Sequence, residues 1–253
     1  MNENKEKAQY PTPGASFLMF IVTFALAALI GNALQTYAFL PGLYVTEWLF
    51  FLAPPLFLLW MKKVNIKKTL KIQQLKAWHV LLGIVSGVGI YFISIVSVLM
   101  MEDVLGPYPA TKFLEGIFPT TWLAFIPWIL AIGFSAGICE EVLFRGFIQN
   151  GLHNHWGPAR GLMAATLLFT VAHLDPWRTP AVILIGLLAG YLLIRTGSLY
   201  SAIAVHMTVN TTNSLLAFTE TMPKTTDQWL LMLAVSSVMV LCTLIYLEMR
   251  RRK

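Results

Sequence analysis

The chain has 253 residues, 57% of them hydrophobic and only 12% charged, with a mean hydropathy of +0.68. A soluble domain of this length carries about twice that charged fraction, so most of the apolar surface must face lipid. The formal charge of +6 does not signal nucleic acid, because the cations sit in clusters between apolar runs, and two cysteines inside apolar runs, Cys139 and Cys242, exclude a disulfide scaffold and a Cys-rich metal site.

The opening Met1 to Ser16 is polar and mixed in charge, so no cleavable secretory signal is expected before the first span. A span needs about 20 largely apolar residues. That window predicts spans at 16–40, 43–61, 78–101, 120–146, 159–174, 180–195, 198–218 and 229–248. The fold class expected is all-α: a polytopic membrane protein of about eight transmembrane helices. The chain reads as a single membrane domain, 1–253, without repeats.

Orientation follows from Lys and Arg. The segment after the second span carries Lys62, Lys63, Lys67, Lys68, Lys71 and Lys76, and the C-terminal tail reads Arg250-Arg251-Arg252-Lys253. Placing both in the cytosol requires an even number of spans and also puts Lys5, Lys7, Arg160 and Arg195 inside. Lys112, Arg178 and Lys224 then fall outside, among Glu102, Asp103, Glu115, Asp175, Glu220 and Asp227. Both termini are therefore expected in the cytosol.

Three intramembrane stretches break the apolar pattern. The fourth span ends in Cys139-Glu140-Glu141-Val142-Leu143-Phe144-Arg145, the fifth in Phe169-Thr170-Val171-Ala172-His173, and the seventh holds His206-Met207-Thr208-Val209-Asn210. Ionisable groups at such depth cost roughly 2.5–3.5 kcal/mol each on insertion scales and usually face a bundle interior or a wet cavity. Glu141 and Arg145 share a helix face and can neutralise each other. Glu140 is rotated about 100° away and lacks that partner, which suits a general base. His206 and Asn210 share a face, as do Phe169 and His173. A carboxylate, two imidazoles and an amide donor suffice to hydrolyse a peptide bond through activated water. A buried Glu–Arg pair or an intramembrane His taken singly has a structural explanation; three such motifs in one chain point to a site.

The order Glu-Glu-x-x-x-Arg, Phe-x-x-x-His, His-x-x-x-Asn resembles the CPBP family, the CAAX proteases and bacteriocin-processing enzymes that include the type II CAAX prenyl endopeptidases. The resemblance covers about 120–218. It implies helices around a membrane-embedded catalytic cavity, with Glu140 activating water and His173 helping to hold it. It also implies that His206 and Asn210 stabilise the oxyanion, and that Glu141 and Arg145 orient the first motif. The family is labelled metalloprotease, and a metal-free glutamate mechanism is also argued for it. Zinc needs about three protein ligands, which Glu140, His173 and His206 could supply. No His in the chain is followed by Glu, so there is no His-Glu-x-x-His, and the expectation leans to no metal cofactor. His153 and His155 fall in the loop expected after the fourth span and read as interfacial.

Gly133-Phe134-Ser135-Ala136-Gly137 spells a nucleophile-elbow pattern, but inside an apolar helical run it reads as small residues that let helices approach. Asp103, Asp175 and Asp227 all fall in loops, which excludes an intramembrane aspartyl pair. Counting along the spans puts Glu140 toward the cytosolic half, His206 near the middle and His173 toward the outer end, whereas a site needs one depth. The expected function is an intramembrane endopeptidase of a bacterial plasma membrane acting on a peptide or protein substrate. Bacteriocin processing, self-immunity and peptide-pheromone maturation are the roles weighed. The rivals are a non-catalytic bacteriocin immunity protein or membrane scaffold, and a proton-coupled transporter carrying its proton on Glu140.

Overall fold

The computed structural model describes residues 10–72 and 75–251, and among these no strand occurs. Lys5, Lys7, Arg252 and Lys253, used above for orientation, lie outside the described residues. Eight long helices follow one another: α1 (Pro13–Tyr37), α2 (Phe39–Met61), α3 (Ala77–Leu105), α4 (Trp122–Trp156), α5 (Pro158–His173), α6 (Thr179–Thr196), α7 (Leu199–Phe218) and α8 (Thr226–Arg251). All but α5 and α7 meet both the length and the hydropathy of a membrane crossing. The protein is an all-α polytopic membrane protein.

Local chemistry sets the helix ends. Thr12 caps α1 by accepting from the Ala15 amide at 3.2 Å, with Pro13 at the first helical position. Thr121 caps α4 in the same way through Ala124. Gly106, Gly157 and Gly197 end α3, α4 and α6 at positive φ. The sequence expectation ends the fourth span at 146 and puts His153 and His155 in a loop; both instead lie in the last turns of α4. The reason is that no proline intervenes before Pro158, and Asn150 holds the turn by donating to the Gly146 carbonyl at 3.0 Å.

The centre of the bundle is α3 against α7, with α6 and α8 flanking α3 and α4 closing on α7. Small residues permit this. A Cβ at Gly83 would meet the Ser201 carbonyl at 2.6 Å, and one at Gly87 the Val205 carbonyl at 3.0 Å. This small-xxx-small stripe lets the two backbones touch. Gly137 does the same for α4, where a Cβ would lie 3.1 Å from the Met207 backbone. The small-residue reading of 133–137 is thus the structural one. Ser135 is also fully engaged, accepting from Trp48 Nε1 and donating to the Leu130 carbonyl, both at 3.0 Å. The buried core holds Leu143, Phe144, Phe147, Leu192, Leu193, Leu199 and Val205. Large apolar side chains on α1 (Leu18, Ile21, Leu29) and α8 (Leu230, Leu231, Val238) are exposed, as suits lipid contact.

Candidate active site

α4 is long enough, at about 1.5 Å per residue, to exceed the bilayer's hydrocarbon core, and Glu140 falls near its midpoint. Two π-helical stretches, Leu130–Ser135 and Val142–Gln149, flank the Glu140-Glu141 turn. Such widened turns rotate the side chains that follow and recur at functional sites. Glu140, His173 and His206, which the sequence count spreads along three spans, come together in one region where α4, α5 and α7 meet.

Glu141 is the anchor. It is fully buried, and its Oε1 accepts from Arg145 Nη1 at 3.0 Å and from His206 Nδ1 at 2.9 Å. The pairing expected within one helix therefore extends to a second helix. A carboxylate only accepts, so Nδ1 of His206 carries a proton and Nε2 is directed elsewhere. That atom stands 4.0 Å from Oε2 of Glu140, which is buried and has no hydrogen-bond partner. Arg145 is pinned further by lying 4.0 Å over the Phe169 ring. Phe169 in turn sets its edge or face against His173 at 4.7 Å and His206 at 5.8 Å between ring centroids. The Phe of the second motif is thus a packing hub for three site residues.

His173 Nδ1 lies 2.8 Å from the Phe169 carbonyl. A carbonyl cannot donate, so the proton is on Nδ1, and Nε2 is left as an acceptor. Asn210 is on the same helix face as His206, but its Nδ2 donates to the Ile132 carbonyl at 2.9 Å, within the first π-helical stretch. One of its two N–H groups is therefore used to hold α7 against α4.

A cavity of about 150 Å³ adjoins this cluster. His173, His206 and Asn210 line it, together with Tyr91, Ser94 and Asn213. Glu140 and Glu141 are not among its lining residues. The Ser94 hydroxyl is buried there without a partner. Arg178 stands at the α5–α6 end, where its Nε donates to Asp175 Oδ2 at 2.6 Å; that oxygen also receives the Tyr108 hydroxyl at 2.6 Å. Burial opposes the charge on Asp175, but Tyr108 and Arg178 outweigh it and hold the carboxyl below its ordinary range. Burial, with Asp175 alongside, pushes the Tyr108 hydroxyl up to about 12.

Among the described residues no three His, Cys, Asp or Glu groups converge as a metal site requires. His206 holds Glu141 through Nδ1 and turns Nε2 toward Glu140.

Motif reading passes over Glu47 on α2. It is 2% exposed, and its Oε2 has no hydrogen-bond partner. Its signal was in the sequence, a lone carboxylate inside the apolar second span. The cavity residues Tyr91, Ser94 and Asn213 carried no such signal, since uncharged polar residues are ordinary in spans.

Residues 122–212, a little over a third of the chain, match the family model described as Type II CAAX prenyl endopeptidase Rce1-like. No curated protein and no solved structure matches the chain. The matched stretch contains Glu140, Glu141, Arg145, His173, His206 and Asn210, and through it the chain carries a domain of the Rce1-like type II CAAX prenyl endopeptidases, a membrane protease family.

Proposed function

We propose that the protein is an intramembrane endopeptidase that hydrolyses a membrane-associated peptide or protein by general-base attack of water. The observation that carries this reading is the placement of His206: Nδ1 bonded to Glu141, Nε2 4.0 Å from the unpartnered Oε2 of Glu140, and the ring on the cavity wall. A water hydrogen-bonded at about 2.8 Å to both atoms fits that separation. His173, with its Nε2 free to accept, is the further holder of that water.

In this mechanism Glu140 removes the proton as the water oxygen bonds to the scissile carbonyl carbon. The oxyanion receives the remaining N–H of Asn210 and the Nε2–H of His206. Because Nδ1 already carries a proton toward Glu141, His206 donates from Nε2 only as an imidazolium, and the Glu141 carboxylate offsets that charge. Glu140 then delivers its proton to the leaving amine as the C–N bond breaks. Arg145 and Glu141 touch no reacting atom and act by holding His206. No metal takes part.

The site belongs in this reading to a core spanning 120–218 of a single membrane domain. The membrane is a bacterial plasma membrane with both termini cytosolic and eight crossings, supported by the Lys-rich segment 62–76 and the basic tail. A cysteine placed at Lys67 should escape an impermeant thiol reagent in intact cells while one at Glu115 reacts; the reverse pattern would invert the topology. The activity itself is tested by comparing membrane-associated peptides in cells with and without the protein. Precursors that accumulate uncleaved support the peptidase, and identical peptide profiles would contradict it.

A further inference from the structure

The mechanism leaves the buried carboxyl of Glu47 unused. Glu47 sits in the π-helical stretch Thr46–Leu52 of α2, which packs against the α4 segment carrying Cys139, Glu140 and Glu141. Its neighbour Trp48 is fixed to α4 through Ser135 at 3.0 Å, so the register of the two helices is set at this point. Glu47 lies within electrostatic range of Glu140, and Cys139 within range of both. Both Glu47 and Glu140 have a buried Oε2 without a hydrogen-bond partner.

Charge balance decides what Glu47 can be. Three carboxyls, Glu47, Glu140 and Glu141, share this interior. Arg145 is committed to Glu141, and no ion pair among the described residues includes Glu47. An ionised carboxylate buried without a partner costs several kcal/mol, and a well-packed apolar residue at position 47 would avoid that cost. A carboxylic acid at this position instead supplies an O–H donor beside a carboxylate that has spare acceptor sites.

We propose that Glu47 is a positioning residue of the active site: in its acid form it donates a hydrogen bond to the Glu140 carboxylate, directly or through one water, and so holds Glu140 in the orientation that faces the attacking water. This rests on the peptidase reading and adds to it a residue that the three motifs do not contain. Glu47 touches no substrate atom. It acts on turnover by keeping Glu140 aimed, and misplacement of a catalytic group by about 1 Å costs roughly 100-fold.

The test uses the full-length protein purified in detergent, with Glu47→Leu and Glu47→Gln beside the parent. Glu47→Leu removes a buried polar group and should remain folded by size exclusion, yet lose about 10- to 100-fold in kcat with little change in KM. Glu47→Gln keeps an N–H donor and should recover most of that loss. A hydrophobic carbodiimide, which adds to the acid form of a carboxyl, should label Glu47 in the parent, read by mass of the modified peptide. Parental kcat in Glu47→Leu, equal damage in Leu and Gln, or no adduct at Glu47 would overturn the inference while leaving the peptidase reading intact. A parent that cleaves no peptide would instead overturn the peptidase reading and this role with it. Should Glu47→Leu not fold, the Gln variant and the carbodiimide adduct still decide.

Discussion

Nδ1 of His206 on α7 lies 2.9 Å from Oε1 of Glu141 on α4, the same oxygen that receives Arg145 at 3.0 Å. One carboxylate oxygen thus joins a helix-internal ion pair to an imidazole from another helix. Its charge serves both the stability of α4 and the aim of His206.

Glu141→Gln should therefore fail on two counts. It leaves Arg145, 1% exposed, without its counter-charge, a loss of roughly 3–5 kcal/mol for a broken buried pair. Membrane accumulation should fall, and so should turnover per inserted molecule. Adding Arg145→Met removes the stranded charge and should restore accumulation but not turnover, because His206 still lacks its anionic anchor. Parental accumulation of Glu141→Gln alone would show that the pair carries no such weight.

Crowding α4 against α7 should disturb the same geometry from a distance. Gly137→Ala puts a methyl against the Met207 side chain, which must move, and 3.1 Å from the Met207 backbone, which cannot, one residue from His206. Overpacking of this kind costs about 1–3 kcal/mol. We expect a lower melting temperature and a loss of at least about tenfold in kcat, measured on purified protein. Gly116→Ala, where the added methyl meets nothing within 4 Å, is the matched control.

The turn between α5 and α6, whose Arg178 lines the cavity, offers a prediction in pH. Asp175 is held below its ordinary range by Tyr108 and Arg178 against burial. A carboxyl depressed in the folded protein adds stability above its unfolded value of about 3.9, and that stability is lost as pH falls through the lower folded value. Asp175→Asn should thus lower the melting temperature at pH 7 and change it little at acid pH below that value. An equal effect at both pH values would mean that the Tyr108–Asp175–Arg178 contact does not depend on the charge.

Metal removal should be without effect. Purified protein in excess chelator should keep its cleavage rate and hold well under one equivalent of metal by elemental analysis. A loss restored specifically by zinc would recast Glu140, His173 and His206 as ligands.

Much of this architecture was legible from residues alone, because lipid imposes a simple code. Runs of about 20 apolar residues locate helices, and the spacing of Glu141 and Arg145 gives their ion pair directly. The boundary after the fourth span was misread because α4 continues through polar residues to Trp156, beyond the apolar window. Contacts between helices were not legible. Nothing in the spacing says that Glu141 also holds His206, or that Asn210 donates to Ile132 in a π-helical stretch. The sequence count left Glu140, His206 and His173 at different depths, and the two π-helical stretches of α4 that flank the Glu140-Glu141 turn carry no signal in the apolar pattern. Glu47 was visible to the same rule that flagged Glu140, and a search by motif alone passes it by.

The central claim is that Glu140 is the base, and the most direct test is the cleavage rate of Glu140→Gln per molecule of correctly inserted protein. The substitution keeps the shape of a side chain that makes no ion pair within its own helix, so accumulation should match the parent. Turnover should fall by about two to four orders of magnitude, the usual weight of a general base. Cleavage by Glu140→Gln at near the parental rate would contradict the mechanism and leave the protein a binding or immunity component of the membrane.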